Sequence, residues 1–353
     1  MTAPAGDPAL VAAGALRAWT AHALERAGVA ATDAGRVADC LVQTSLWGID
    51  SHGVSRLPHY LDRIELGSIN PRARPVFTRS GPGTGSVDGD HALGFVAVSL
   101  AMDHAIMLAR EAGVGVVGVS NSSHCGAIGL YTRKATAAGM VGIGFTHSDS
   151  FVTPHGGDHA FFGTNPISIA VPTGDPARPL CVDMATSIVP WNIIMNARMA
   201  GQPVAPGLGV DAAGAESTDP EQIVAVRPAA GHKGYALAFA IDMLCGPLNG
   251  MNYGPHLTRM YAELDQPRRL GSLMIALDPA RFAGAATLAP AVAAAIREVK
   301  AQREGILAPG DPEYRSAEAR GRDGIPMDAP LRAELRHWAA KLGVEPPPFI
   351  DAD

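Results

Sequence analysis

Apolar positions change their period along this chain, and the changes divide it into stretches of different character. Over 8–48, Leu and Val recur among alanines at helical spacing, and Thr32-Asp33 falls where an N-cap would open a second helix. Another helix is expected over 60–66, after Pro58 and closed by Gly67, with Pro71 and Pro75 marking a boundary soon after. From about residue 80 the pattern shortens. Val/Ile/Gly-rich runs at 114–119, 141–145, 167–171 and 180–183 alternate with helical stretches at 96–111 and 128–138. Continuous apolar runs of that length read as buried strands, so the rhythm is α/β. Residues 186–230 carry Pro203, Pro206, Gly207, Gly209, Gly214 and Pro220 and read as loop-rich. The chain then returns to regular structure, with an apolar helix at 235–244, a late strand at 273–278, and helices at 287–303 and 329–342.

Composition narrows the classes. A chain of 353 residues has room for one or two domains. Its 28 basic and 34 acidic side chains give a net charge of −6 with no Lys/Arg run, which argues against a nucleic-acid partner. Cys40, Cys125, Cys181 and Cys245 are widely spaced, with no C-x-x-C pair for zinc or redox work. The Met1–Ala5 stretch lacks the basic region of a signal peptide. The apolar stretch at 235–244 is short and carries Asp242, so a membrane span is not expected. These features predict a reduced, cytoplasmic, soluble protein.

Three short segments carry the candidate chemistry: Asp50-Ser51-His52-Gly53-Val54-Ser55-Arg56, Ser122-Ser123-His124-Cys125-Gly126 and Gly163-Thr164-Asn165-Pro166. A lone histidine is more often structural than catalytic. His52 and His124, however, both follow serines and stand at glycine-marked turns, where catalytic groups tend to be carried. A helix beginning near Gly53 would turn Arg56 toward the same cleft, where a guanidinium can clamp a carboxylate through paired hydrogen bonds. The alternative is a surface salt bridge. Asp183-Met184-Ala185-Thr186-Ser187 and Gly231-His232-Lys233-Gly234-Tyr235 suit an anion, the first through backbone N–H groups, the second through a lysine at a helix start. Ordinary capping explains both equally well.

Other signals carry less. Gly113-Val114-Gly115-Val116-Val117-Gly118 matches G-x-G-x-x-G, but a dinucleotide fingerprint follows a strand and opens a helix. Here the glycines follow a helix and lie inside the strand, so a helix C-cap and close strand packing are expected. His147, His155 and His159, with Asp149 and Asp158, invite a metal reading. Gly156-Gly157 after Pro154 breaks the helix that the i, i+4 pair would need, and polar loop residues are the favoured explanation, with no metal assigned. Ser51 beside His52 is a weak nucleophile signal, because adjacent residues rarely meet as nucleophile and base and no G-x-S-x-G elbow exists.

Read in order, these segments resemble the type-2 malate/L-lactate dehydrogenase family, which is unrelated to the Rossmann lactate dehydrogenases. The matching stretches are 50–56, 60–63, 88–90, 123–127, 154–157, 163–166, 183–187, 233–235 and 309–311, which reach across nearly the whole chain. Within the family, Ser148-Asp149 and the run from Tyr261-Ala262-Glu263-Leu264 to Leu270-Gly271 look most like ureidoglycolate dehydrogenase. The resemblance implies an α/β fold: a mixed-sheet, non-Rossmann NAD(P)-binding domain over 81–285, with a helical part built from 1–80 and 286–353. It implies NAD, or alternatively NADP, as cofactor, a small carboxylate as substrate, and a homodimer. The reaction would interconvert a 2-hydroxy acid and its 2-oxo acid; malate, lactate or sulfolactate oxidation and cyclic-imine reduction are the alternatives within the family.

By similarity, His124 is the proton acceptor, His52 supports it, and Asp149 tunes it. Arg56 holds the substrate carboxylate, with Ser51 and Tyr60 also at the substrate and Asn165 at the substrate or the nicotinamide amide. Ser148, Asp183, Met184, Ala185, Lys233, Pro309, Gly310 and Asp311 contact the dinucleotide. One departure stands out. Where many relatives carry Trp-Gly-Lys after the Asp-Met-Ala-Thr-Ser turn, this chain has Trp191-Asn192-Ile193, which removes a flexible backbone position and a cation and bears on substrate range. From other classes, a metal-dependent hydrolase using His147, His155 and Asp149 and a catalytically silent binding protein remain as alternatives.

Overall fold

The two ends of the chain meet in the computed structural model, which describes residues 9–350; Met1–Ala5 and the rest of 1–8 lie outside the described residues, as do 351–353. Strand β1 (Ala9–Val11) leads into helices α1 (Ala13–Arg26) and α2 (Ala31–Leu46), and α3 (Leu57–Glu65) follows two short 3-10 turns. Strands β2 (Val76–Arg79) and β3 (Thr84–Asp88) precede helix α4 (Gly94–Ala112), then β4 (Val114–Ser122), α5 (Gly129–Ala137), β5 (Val141–Thr146), β6 (Ile167–Val171) and β7 (Leu180–Met184). Beyond lie α6 (Trp191–Ala200), the two-residue strands β8 (Gly209–Val210), β9 (Glu216–Ser217) and β10 (Ala225–Val226), helix α7 (His232–Cys245) and strand β11 (Leu270–Leu277). The chain closes with α8 (Ala285–Ala301), α9 (Asp311–Asp323), β12 (Ile325–Met327) and α10 (Ala329–Leu342).

One sheet of seven strands, ordered β2-β3-β4-β11-β5-β6-β7, forms the centre. Only β3 and β4 pair in parallel, joined by the α4 crossover, and every other pairing is antiparallel. The sheet is therefore mixed and not doubly wound. Its apolar core joins α4 and α5 to the sheet through residues such as Val98, Met102, Val117, Val119, Tyr131 and Met274. A second core lies under the helices and draws on both ends of the chain: Leu16, Leu24, Leu41, Leu57, Tyr60 and Phe95 pack with Ile325, Leu335 and Trp338. β1 and β12 pair antiparallel, Ala9 opposite Met327, and so tie the two ends together.

The glycine-rich run behaves as its context predicts. Gly113 is the left-handed C-cap of α4, at φ +87°. In β4, a Cβ on Gly115 would overlap the backbone of Ala105, and one on Gly118 would overlap the side chain of Asn249. These glycines let α4 and the 247–249 turn lie directly on the strand.

Several expectations need correction. α2 begins at Ala31 after Ala30, so Thr32 and Asp33 lie inside its first turn. Residues 186–230 are not simply loop: α6 and a three-stranded sheet ordered β10-β8-β9 close over a small core of Val152, Ile194, Val204, Ile223 and Val226. Strands that short show no period, which is why the prolines and glycines dominated the reading. The polar strands β2 and β3 and the charged helix α9 also lack an apolar signature. Both strands are largely exposed and α9 has no buried residue.

Candidate active site

The Asp50–Arg56 segment forms two successive 3-10 turns, Asp50–His52 and Val54–Arg56, between α2 and α3. Gly53 separates them because a Cβ there would overlap Ser45, whose hydroxyl accepts a hydrogen bond from the Val54 N–H at 3.0 Å. Helix α9 braces the turns from outside: Arg320 donates to the Ser45 carbonyl and pairs with Asp50 at 2.5 Å. His52 and Arg56 are presented from this frame.

His124 arrives from the other side, just after β4. Gly126 then takes φ +70°, where a Cβ would run into the Phe95 ring. The two histidine rings come within 5.5 Å of each other. His124 Nδ1 lies 2.6 Å from the Tyr60 hydroxyl, and the buried Tyr60 ring stands edge-on against Phe95. His52 Nδ1 lies 2.8 Å from Ser51 Oγ, so these adjacent residues do meet, contrary to expectation. The pair anchors the imidazole.

Burial sets the charge state here. It drives the His124 pKa well below the ordinary histidine value, with His52 and Arg56 adding to the effect. The same cause, reinforced by Arg56, takes His52 down to about 4. Burial pushes Tyr60 well above its usual range, so the phenol keeps its proton. Both histidines are neutral at physiological pH.

A cavity of about 210 Å³ opens between these elements. His52, His124, Arg56 and Ser51 line it with Ser148, Thr164, Asp183, Met184 and Ala185, while Ile128, Phe151, Pro190 and Trp191 supply apolar faces. Arg56 is not a surface ion-pair residue. Its Nε donates to the Ser51 carbonyl at 2.6 Å, Nη1 to Tyr261 Oη at 3.0 Å and Nη2 to Asn192 Oδ1 at 2.8 Å. Asp183, at the end of β7, accepts from the Gly129 N–H at 2.8 Å. Burial raises its pKa to about 6, against the opposing pull of that N–H and of Arg133.

Other expected residues do not line the cavity. Asn165, at φ +29°, is fully buried; its Oδ1 accepts from the Ser148 N–H at 3.2 Å and its Nδ2 donates to the Ala238 carbonyl at 3.0 Å. It shapes the Ser148 wall. Lys233 is exposed on the first turn of α7, whose start is hydrogen-bonded to the 183–187 turn through Ala229 N–H and the Thr186 carbonyl. Pro309 accepts from the Cys181 N–H at 3.2 Å beside the edge strand β7. Gly310 caps α9 in the left-handed region, and Asp311 pairs with Lys300 at 2.6 Å.

Asp149 points elsewhere than toward His124. Its carboxylate pairs with buried Arg268 at 2.6 Å and accepts from the Met260 N–H at 2.9 Å. The metal constellation does not assemble either. His147 Nε2 accepts from the Gly271 N–H at 2.9 Å, so Nδ1 carries the hydrogen and donates to Asp242 at 2.8 Å, which leaves no lone pair for a metal. His159 bonds Asp158 and His155 lies against His232, and among the described residues no three ligating side chains converge.

The organiser of the far wall is a residue with no local signature of that role. Arg63, buried in α3, donates to the carbonyls of Arg259, Met260, Leu264 and Gln266, and to Ser68 Oγ and His59 Nε2. This one side chain holds the 259–266 loop that carries Met260 and Tyr261 to the cavity. Its position four residues after His59 on an amphipathic helix was visible; its partners, some 200 residues on, were not.

The residues present fit a nicotinamide nucleotide. Apolar faces of Ile128, Phe151 and Trp191 beside the polar groups of Ser148, Thr164 and Asp183 suit an aromatic carboxamide, and the Arg56 guanidinium in the same cavity suits a carboxylate. Among the described residues no helix is long and apolar enough to cross a membrane.

Comparison with known proteins gives the same picture. The family model for malate/L-lactate dehydrogenase matches residues 11–336. The ureidoglycolate dehydrogenase (NAD(+)) of Escherichia coli is 37% identical over 276 residues, which are 78% of this chain and 79% of that protein. The malate/(S)-sulfolactate dehydrogenase of Methanothermus fervidus is 33% identical over 324 residues, 91% of this chain and 95% of that one. The solved sulfolactate dehydrogenase of Methanocaldococcus jannaschii superimposes with a TM-score of 0.89 at 33% identity, covering 95% of this chain and 98% of that chain. The chain therefore belongs to the malate/L-lactate dehydrogenase family and is an NAD(P)-dependent 2-hydroxy-acid dehydrogenase.

Proposed function

We propose that the cavity oxidises (S)-ureidoglycolate or a closely similar small carboxylate, with His124 as proton acceptor and Arg56 as carboxylate holder. The observation that carries the reading is the His124–Tyr60 contact: a half-buried histidine, kept neutral and held at Nδ1, facing a cavity that also holds a guanidinium. The oxidation needs the tautomer in which Nδ1–H donates to the Tyr60 oxygen, because that leaves Nε2 free to take the hydroxyl proton of the substrate. The nicotinamide supplies the hydride acceptor. Arg56 turns the substrate so that its carbinol oxygen meets His124, and the apolar walls keep bulk water from the reacting carbon.

His52 supports the site by packing against His124 and by keeping a second positive charge out of it. Ser148, Asp183, Met184 and Ala185 would hold the nicotinamide end of the cofactor. Lys233, Pro309, Gly310 and Asp311, set back from the cavity, are assigned to the more distant part of the dinucleotide. NAD is the expected cofactor and NADP the alternative.

Fluorescence titration of NADH and NADPH separately, followed by a scan of 2-oxo acids for oxidation of whichever binds, tests the proposal. Binding of one nucleotide with turnover of a 2-oxo acid supports it. Binding of neither would overturn it.

A further inference from the structure

The cavity is poor in positive charge. Of its lining residues Arg56 alone is a lysine or arginine, and Asp183 contributes a carboxyl group. A guanidinium has five N–H groups, and three of those on Arg56 already bond to Ser51, Asn192 and Tyr261. Two remain, enough for one carboxylate.

Asn192 makes the remaining recognition neutral. Its Oδ1 accepts from Arg56 Nη2 at 2.8 Å and from the Tyr261 hydroxyl at 3.3 Å, which assigns the other end of the amide as Nδ2. Among the described residues that Nδ2 has no protein acceptor, and Asn192 and Tyr261 both line the cavity. A ligand group beside them meets an amide donor and a phenol oxygen rather than a cation. A second anion placed there would lose water between Phe151, Pro190 and Trp191 and would have to share the single guanidinium of Arg56 with the first carboxylate. An amide or urea group would satisfy Asn192 at no such cost.

We propose that Asn192, with Tyr261, is a specificity-determining residue that reads the substrate's tail, selecting 2-hydroxy acids with one carboxylate and a neutral hydrogen-bonding tail over acids with a second anionic group. This rests on the 2-hydroxy-acid reading and extends it to the charge of the tail.

Malate and its 4-monoamide form the probe pair, since they share a skeleton and differ at one terminal group. With the preferred nucleotide, kcat/KM for the monoamide is expected to exceed that for malate by at least about tenfold. Asn192→Lys should reverse the order, and Asn192→Ala should shrink the ratio. A merely structural role would lower both substrates together and leave the ratio unmoved. Equal or better use of malate by the unaltered protein, or an unchanged ratio in either variant, overturns the proposal. If no 2-hydroxy acid turns over with either nucleotide, the reaction reading fails instead. The tail preference is then judged from the calorimetric dissociation constants of the same pair, where equal affinities overturn it.

Discussion

His124 and Tyr60 stand in or beside elements sealed into the large apolar cores, whereas Asn192 sits at the start of α6 over a small satellite core and Tyr261 on a loop reached by long-range hydrogen bonds. The first wall is fixed by packing. Tyr60 is fully buried beside Phe95, and His124 follows a central strand. In the second wall the Tyr261 loop is fixed by polar contacts: Tyr261 is 45% exposed, and its loop hangs on the carbonyl bonds of Arg63. Packing gives a site one protonation state and one geometry. Hydrogen-bonded loops give it a replaceable recognition surface. The two walls should therefore fail differently when altered.

The largest effect is expected on the packed wall. His124→Ala should lower turnover by about 10²–10⁴-fold, the usual loss for a general base, and should cost about 1–3 kcal/mol of stability because the buried Tyr60 hydroxyl loses its partner. Steady-state kinetics in the oxidation direction read the turnover loss directly. A loss below tenfold would remove His124 from the proton-acceptor role.

On the hydrogen-bonded wall, Arg63→Met should act through structure first. It leaves four loop carbonyls and Ser68 without their donor, in surroundings where burial already lowers the Arg63 pKa to about 10. A stability loss of about 2–4 kcal/mol in urea unfolding is expected, typical of a broken buried network. KM should rise with it as Tyr261 leaves the cavity. Full stability with an unchanged KM would show that the loop is held by something else.

Acid should act mainly on the packed wall. Folding holds His124 well below the ordinary histidine value, His52 at about 4 and His59 at about 3, in each case chiefly through burial. Below pH 6.5 the unfolded chain takes up protons that these folded groups refuse. The stability they lend is complete above 6.5 and is lost as pH falls toward 4, by up to about 1.4 kcal/mol per pH unit for each histidine. Asp183, raised to about 6, works with the opposite sign between its ordinary carboxylate value and 6, as one group against three. Melting temperatures between pH 7 and 4 should therefore decline. A flat profile would mean that the histidines are hydrated in solution.

The same contrast explains what could be read from the chain. His52, Arg56 and His124 lie in short motifs whose turn residues announce them, and Gly113 and Gly115 betray their packing role by following a helix. The strands β4, β5, β6 and β7 are apolar enough to show themselves. Nothing local, however, links Arg63 to Leu264, Arg268 to Asp149 or Asn192 to Arg56, since each pair is over a hundred residues apart. Asp149 looked suited to His124 on resemblance alone, and only the position of Arg268 shows where its charge is spent. Charge pairs of that kind leave a trace in sequence only as arginines beside buried strands, as Arg268-Arg269 stands before β11.

The smallest effect separates the two walls most cleanly. Tyr261→Phe removes one hydroxyl that accepts from Arg56 at 3.0 Å and donates to Asn192 at 3.3 Å, and it leaves the ring in place. The bond to Arg56 is exposed, so its loss should be that of an ordinary hydrogen bond, about 0.5–1.5 kcal/mol, and KM should rise by about 2- to 10-fold. The proton-transfer geometry of His124 and Tyr60 does not pass through this hydroxyl, so kcat should hold. A fall in kcat with KM unchanged would mean instead that Arg56, freed on one side, no longer sets the carbinol oxygen against His124. In that event recognition and chemistry would share one network, and the division of labour between the walls would have to be redrawn around Arg56.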